Sequence, residues 1–179
     1  MRTAILTTLT VFGIFSASTS TAQSGRTVGN VVDDTTIAAE VKAALVQADD
    51  VPGGAINVEV YQGNVQLAAF LESDAQIQAA LSAAKSISGV KSVRNSLVEI
   101  EGGRSIGATI DDQVIHGKLE TALIGDSGLG NAVAINTEVR RGHVLLSGFV
   151  SDKETRDRAE AVAKQISGVV EVHNRIDIM

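Results

Sequence analysis

The sequence predicts an α+β protein made of two tandem copies of one small domain, each a mixed three-stranded sheet with two helices on one face. Three observations support this fold class. The chain repeats itself at a nearly constant offset, each copy has the element order helix, strand, strand, helix, strand, and the strands alternate apolar and polar residues. Such alternation predicts a sheet covered on one face, where both helices must pack.

The duplication is visible in two motifs. GNVQLAAF at 63–70 matches GHVLLSGF at 142–149, and ISGV at 87–90 matches ISGV at 166–169, at one common offset. Near the start of each copy the offset is one residue shorter. We therefore expect a first domain at 33–101 and a second at 109–179, joined by a short flexible linker at 102–108 and preceded by a disordered leader at 23–32.

The first element of each copy is a predicted helix, because apolar residues recur there with helical spacing. These residues are Ile37, Val41, Ala44 and Leu45 in the first copy and Ile115, Leu119, Ala122 and Leu123 in the second. An Asp pair stands near each predicted helix start, at 33–34 and 111–112. Carboxylates at that place cap the helix or favour its positive end.

The next two elements are predicted strands joined by a tight hairpin. Apolar residues alternate with polar ones on both sides of Gly63, and the pattern returns around Gly142. Gly between two alternating runs marks such a turn, because it adopts a positive φ without steric cost.

A second helix and a last strand complete each copy. Capping boxes begin at Ser73 and Ser151, and we expect Gly89 and Gly168 to end the two helices in the left-handed conformation. A right-handed crossover places the last strand beside the second and parallel to it; the alternative places it beside the first, in a fully antiparallel sheet. Because domains of this size are marginally stable alone, the copies should pack on each other or on a second chain, with the open sheet face free for that contact.

The N-terminus has the pattern of a secretory signal peptide. Met1-Arg2 supplies positive charge, an apolar run follows at 4–15, and small residues at 16–22 offer a cleavage site. We expect residues 1–22 to be removed on export, leaving a chain without a transmembrane segment. In a bacterium with two membranes the destination is the periplasm.

Composition excludes several classes of function. The chain has no Cys, which excludes disulfides, thiolate catalysis and Cys-bound metals. A net charge of −6, no Trp and one Tyr argue against nucleic-acid binding. The three histidines, His116, His143 and His173, fall on different elements without helical ligand spacing, so we interpret them as scattered polar residues. No catalytic, metal or cofactor site is predicted.

Basic residues of the second copy are the candidates for contact with lipid headgroups or another partner. The alternative is that they form i,i+4 pairs with acidic residues on a solvated helix face. These residues are Arg140, Arg141, Lys153, Arg156 and Arg158.

The repeated motif resembles the BON domain. The resemblance rests on G-x-V-x-L-x-G/A-F, a Ser-capped helix and a final G-V-x-x-V-x-N-x-L/I, and it covers nearly all of 33–179. Ala69 departs from the motif where the second copy has Gly148, so the first copy is the more divergent. The structural positions of the motif are Gly63, Gly89, Asn95, Gly142, Gly148, Gly168 and Asn174.

The resemblance implies a stress-related, periplasmic protein of the cell envelope without agreed catalytic residues. Two hypotheses follow. The first is a chaperone-like module that engages unfolded or exported envelope proteins through sheet faces or edges. The second is a module that binds anionic phospholipid surfaces through the second domain.

Overall fold

The computed structural model describes residues 28–100, 102, 106–129 and 135–179; the predicted signal peptide lies outside them. The first copy consists of α1 (Val28–Gln47), a 3-10 turn (Gly53–Ala55), β1 (Asn57–Tyr61), β2 (Asn64–Leu71), α2 (Asp74–Lys85) and β3 (Ser92–Glu99). The second consists of α3 (Ile106–Gly125), β4 (Ile135–Arg140), β5 (His143–Val150), α4 (Lys153–Lys164) and β6 (Glu171–Ile178). The predicted element order is confirmed in both copies.

Each copy forms a mixed three-stranded sheet. The central strand β2 pairs antiparallel with β1 and parallel with β3, and β5 pairs in the same way with β4 and β6. The register is also shared, since Asn64 lies opposite Ser92 and the equivalent His143 lies opposite Glu171. The predicted parallel last strand is confirmed, and the fully antiparallel alternative is wrong.

Two separate hydrophobic cores lie between the helices and the sheets. The first is formed around Leu45 and Leu67 and the second around Leu119 and Leu146, each with 0% exposure. Burying one such side chain contributes about 1.5–3 kcal/mol. Two separate cores are what a tandem of equivalent domains requires.

The open faces of the two sheets pack against each other. A third, smaller cluster joins Ala68 and Phe70 of β2 to Leu145 of β5, with Val98 and Ile100 at its border. The molecule therefore has four layers: helices, sheet, sheet, helices. Of the two alternatives, packing of the copies on each other or on a second chain, the structure shows the first.

The two hairpins are tight turns in which both central residues have positive φ. Gln62 and Gly63 have φ of 51° and 79°, and Arg141 and Gly142 have φ of 55° and 77°. This is the backbone of a two-residue turn that matches the twist of its strands. The glycines also permit close packing, because a Cβ on Gly142 would lie 2.9 Å from the carbonyl oxygen of Gly168.

The prediction that the Asp pairs cap their helices is wrong. The helices begin earlier, at Val28 and Ile106, so the leader prediction fails for residues 28–32 and the linker prediction for 106–108. Asp34 and Asp112 are buried inside the helices, 5% and 9% exposed. Their role is tertiary, and such contacts override local capping signals.

Each buried Asp holds the hairpin of its own domain. The Asp34 carboxylate accepts from the backbone N–H groups of Gln62 and Gly63, both at 2.8 Å. Asp112 accepts from the N–H groups of Arg141 and Gly142 at 2.8 and 2.9 Å. These bonds satisfy donors that the tight turn leaves outside the strand ladder.

The ends of α2 and α4 differ from the predicted signals. Ser73 caps α2 as predicted, but Asp152 and not Ser151 caps α4, accepting from the N–H of Thr155 at 2.7 Å. An ionised carboxylate accepts more strongly than a hydroxyl and also favours the positive helix end. Gly89 and Gly168 are left-handed as expected, with φ of 85° and 100°, but they lie in the turn beyond the helix ends.

Candidate functional site

The contact between the two sheets buries the central part of both open faces. Gln66 of β2, which is 1% exposed, links the two domains through hydrogen bonds of its side chain. Its side-chain nitrogen donates to the Arg175 carbonyl at 2.8 Å and to the Asp177 carboxylate at 2.9 Å, and its oxygen accepts from the N–H of Gly148 at 2.6 Å. Gly148 has φ of 120° in the middle of a strand, a conformation that favours Gly. All polar atoms of the Gln66 side chain are therefore committed to the second domain.

The contact is approximately two-fold symmetric. Tyr61 packs on Phe149 with ring centroids 5.8 Å apart. Arg140 stands at the position equivalent to Tyr61, and it contacts Phe70, the residue equivalent to Phe149. An interface in which residue i meets j and the equivalents of i and j also meet is isologous, the type that duplicated units form.

Arg140 is part of this contact and not of an exposed basic surface. Its side chain is 6% exposed, and its guanidinium donates to the Phe70 carbonyl at 3.0 Å and to Glu72 at 2.8 Å. A third bond reaches the Gly102 carbonyl at 3.3 Å. Arg140 is thus withdrawn from the set of candidate headgroup contacts, because the two domains enclose it.

The basic residues on α4 are engaged in ion pairs. Lys153 and Arg156 both contact Asp157, and Arg158 contacts Asp126 at 2.9 Å. Of the predicted i,i+4 pairs, Lys153–Asp157 is present. The Arg158 guanidinium lowers the pKa of the Asp126 carboxyl, and the Lys153 ammonium lowers that of Asp157. Arg141 of the predicted set lies away from α4, exposed at a hairpin tip.

Each domain has a surface recess where its first helix, its hairpin and the turn before its last strand meet. We call the recess of the first domain the first recess and that of the second domain the second recess. Ile37 and Ile115 form the floor at equivalent positions. Gly89 and Gly168 leave room for these side chains, because a Cβ there would lie 3.1 and 3.0 Å from the respective isoleucine Cδ1.

The two recesses differ in chemistry at four equivalent positions. The first recess has Thr36, Glu40, Gln62 and Lys91, and the second has Val114, Lys118, Arg141 and Val170. Val114 and Val170 are 52% and 72% exposed, and both line the same recess. The second recess therefore combines exposed apolar groups with two cations, beside the Asp111 and Asp112 carboxylates whose equivalents also line the first recess. Sequence reasoning missed three of these residues, although comparison of the two copies position by position would have found them.

The outer strands β3 and β6 are the long edges of the two sheets, and a groove lies between them. Arg94 and Arg175 line this groove together with Asn95 and Asn174. The Asn95 side-chain oxygen accepts from the N–H of Leu97 at 3.0 Å, and Asn174 accepts from Ile176 at 3.2 Å. These two backbone N–H groups are therefore not available to a further strand, which limits strand pairing at both sheet edges.

Two of the three histidines come together, although the sequence analysis treated them as scattered. Nδ1 of His143 lies 3.4 Å from the Glu171 carboxylate, and Nε2 of His173 lies 3.7 Å from the same oxygen. The two imidazoles stack with centroids 5.7 Å apart. Burial lowers the pKa of His173, with opposition from the charge of Glu171. The missed signal is the register of the parallel pair β5–β6, which places 143 opposite 171.

Among the residues described, no helix combines the length and apolar character needed to cross a bilayer. The chain is 36% identical over 148 residues to osmotically-inducible protein Y of Escherichia coli (strain K12), which covers 82% of this chain and 73% of that protein. It is 35% identical over 75 residues to outer membrane lipoprotein DolP of Haemophilus influenzae, covering 42% of this chain and 39% of the lipoprotein.

Among solved structures, the C-terminal domain of CdsD, a structural protein of the type III secretion system of Chlamydia trachomatis, covers 82% of this chain and 67% of its own, with 13% identity and a TM-score of 0.33. The family model of the BON domain matches twice, over 33–101 and 111–179. These segments coincide with the two sheet-and-helix units of the structure. The chain therefore belongs to the BON domain family, with two BON domains in tandem.

Proposed function

We propose that this protein is a non-enzymatic binding protein of the cell envelope, exported by its N-terminal signal, and that the second recess binds anionic phospholipid surfaces. The observation that carries the proposal is the change from Thr36, Glu40, Gln62 and Lys91 to Val114, Lys118, Arg141 and Val170 between equivalent recesses. Exposed apolar side chains beside cations suit the boundary between headgroups and acyl chains.

The names of two relatives support a function in the cell envelope under osmotic stress. One is named for osmotic induction and the other is an outer membrane lipoprotein. Envelope location and a role under osmotic stress are therefore part of the proposal for this chain. The net charge of −6 opposes long-range attraction to an anionic bilayer. Binding must then depend on short-range contacts, with each cation near the surface contributing about 1 kcal/mol.

Vesicle co-sedimentation tests the lipid proposal. The purified protein is mixed with vesicles of phosphatidylglycerol and phosphatidylethanolamine, or of phosphatidylcholine alone. Pelleting should require phosphatidylglycerol. K118Q/R141Q should weaken binding about 30-fold, the equivalent of two lost contacts of about 1 kcal/mol each. V114T/V170T should weaken it independently.

A charge-matched control separates the recess from net charge. K153Q/R158Q removes two positive charges from α4 of the same domain, where both cations are already paired. This variant should bind like the parent protein. An equal loss in both double variants would show that overall charge and not the second recess determines binding. Equal, negligible pelleting with both vesicle types would remove the proposal.

Binding of unfolded envelope proteins is the second candidate function. The observation that favours it is the groove between β3 and β6, where two sheet edges run side by side. Because the central part of both sheet faces is buried, this groove and the other edges are the places left for client segments. The protein at equimolar amounts should slow aggregation of a denatured outer-membrane protein, and R94Q/R175Q should reduce that effect. Unchanged aggregation with the parent protein would end this hypothesis.

A further inference from the structure

We propose that His143, Glu171 and His173 bind one divalent transition-metal ion of the Zn²⁺ class. The three ligand atoms lie within 4.8 Å of one another on adjacent strands β5 and β6. Imidazole nitrogen and carboxylate oxygen are ligands that suit Zn²⁺. Two imidazoles and one carboxylate leave a further coordination position for water.

The parallel register brings the three side chains to one face of the sheet. His143 is directly opposite Glu171, and His173 follows two residues later on the same strand. Side chains separated by two residues in a strand share a face. This face is turned towards the first domain, since the His173 ring makes an edge contact with Phe70 at 5.8 Å between centroids.

The distances are close to those of a tetrahedral site. With zinc–ligand bonds of about 2.0–2.2 Å, tetrahedral ligand atoms lie roughly 3.3–3.6 Å apart. The two histidine–glutamate distances are 3.4 and 3.7 Å. The two imidazoles stack with planes 16° apart, so they have to rotate before both ring planes contain one ion. The side chains of His143, Glu171 and His173 are 27%, 57% and 19% exposed, which leaves room for that rotation. Solvent therefore reaches the site from the Glu171 side.

The charged neighbour that opposes a cation is Arg175, which lies two residues beyond His173 and whose charge also acts on that imidazole. Its presence predicts a site of moderate affinity. R175Q should consequently bind Zn²⁺ more tightly than the parent protein. No comparable cluster exists at the equivalent place in the first domain, where Asn64 and Ser92 hydrogen-bond to each other at 2.7 Å.

The first domain supplies a well-matched variant for the test. H143N/E171S/H173R installs the residues that the same fold carries at the equivalent positions Asn64, Ser92 and Arg94. This triple substitution removes all three ligands and introduces only residues that the equivalent positions of the first domain already accommodate. H116Q is the control, because His116 lies on α3 with Glu120 as its acidic neighbour at 3.8 Å and has no second histidine beside it.

The experiment is calorimetric titration of the metal-free, untagged protein with Zn²⁺, together with side-chain ¹⁵N NMR of the histidines. We expect one equivalent to bind, with resonances of His143 and His173 shifting and that of His116 unchanged. H143N/E171S/H173R should lose saturable binding. Replacement of either histidine alone should weaken binding by more than the roughly 10- to 100-fold that loss of an outer-shell partner costs.

Circular dichroism and thermal unfolding in chelator check that the variants fold. Zn²⁺ should raise the Tm of the parent protein and of H116Q, because a ligand that binds only the folded state stabilises it, and should leave the triple variant unchanged. Absence of saturable binding in the parent, retention of binding in the folded triple variant, or loss of binding in H116Q would each overturn the proposal.

Discussion

Replacing Arg140 should weaken the contact between the two domains. R140M keeps much of the apolar stem but removes the guanidinium that joins β4 to the end of β2. The bond to the buried Phe70 carbonyl belongs to a charge-assisted class worth about 1.5–3 kcal/mol. The pair with Glu72 contributes less than about 1 kcal/mol, because Glu72 is 57% exposed and water replaces its partner.

The Nε atom of Arg140 makes a contribution of the opposite sign to the free energy of unfolding. Nε of Arg140 is buried and lacks a hydrogen-bond partner among the described residues. Removing it relieves part of a desolvation cost of about 1–3 kcal/mol. The net loss of unfolding free energy for R140M is therefore about 2 kcal/mol, which corresponds to a decrease of about 1 M in the urea midpoint for an m-value near 2 kcal/mol/M.

Urea unfolding followed by two probes measures this effect. Far-UV circular dichroism reports both domains, whereas Tyr61, the one tyrosine in a chain without tryptophan, reports the contact with Phe149. In R140M the Tyr61 transition should move ahead of the circular dichroism transition. The matched control is R158M, which removes an arginine that is 54% exposed and should cost less than about 1 kcal/mol. Equal losses in R140M and R158M, or in R140M and E72Q, would refute the assignment of the stabilisation to the Phe70 bond.

Three further predictions concern the hairpins, the helices and pH. G142A should lower stability by about 1–3 kcal/mol, because φ is 77° and the new Cβ would meet a backbone oxygen at 2.9 Å. G117A on α3 should raise stability by up to about 1 kcal/mol, because nothing lies within 4 Å of the new Cβ. Thermal unfolding that ranks the two variants in the other order would contradict this prediction. D112N should speed amide exchange at the hairpin tip by weakening one of two carboxylate bonds, and unchanged exchange would exclude that role. Lys164 lowers the pKa of Glu160, so the stabilisation is complete above the unfolded value of 4.5 and is lost as pH falls through the lower folded pKa. E160Q should reduce this loss of stability at acid pH, measured by urea unfolding at a series of pH values. An unchanged pH dependence would assign the loss to other carboxylates.

The fold could be predicted because its signals are local. Strand alternation, the glycines of the hairpins and the helical spacing each depend on residues a few positions apart, and the right-handed crossover then determines where the last strand pairs. Asp112 shows where this reasoning stops. Its position near a helix start resembles a cap, but its carboxylate reaches a turn in another element, and no local pattern encodes that partner.

The candidate sites were less predictable because they depend on strand register and on packing between domains. His143 and His173 are separated by α4, and only the parallel register places them together. Arg140 resembled a surface cation, since arginine is rarely buried without partners. Its partners are carbonyls and a carboxylate of the other domain, which become neighbours only when the two sheets meet.

Because the two sheets pack on each other, the two copies differ in the surfaces that they leave for binding. Each domain covers the apolar centre of the face that the other would expose, which leaves recesses, edges and strand ends for binding. The features that suggest binding belong to the second copy: Val114 and Val170 beside cations in its recess, and His143 with His173 at the start of its parallel strands. The first copy has Thr36, Lys91, Asn64 and Arg94 at the equivalent places, while Phe70 and Gln66 serve the contact between sheets. The second domain can therefore carry binding groups that the first lacks, because substitutions outside the shared interface do not disturb the packing that holds the pair together.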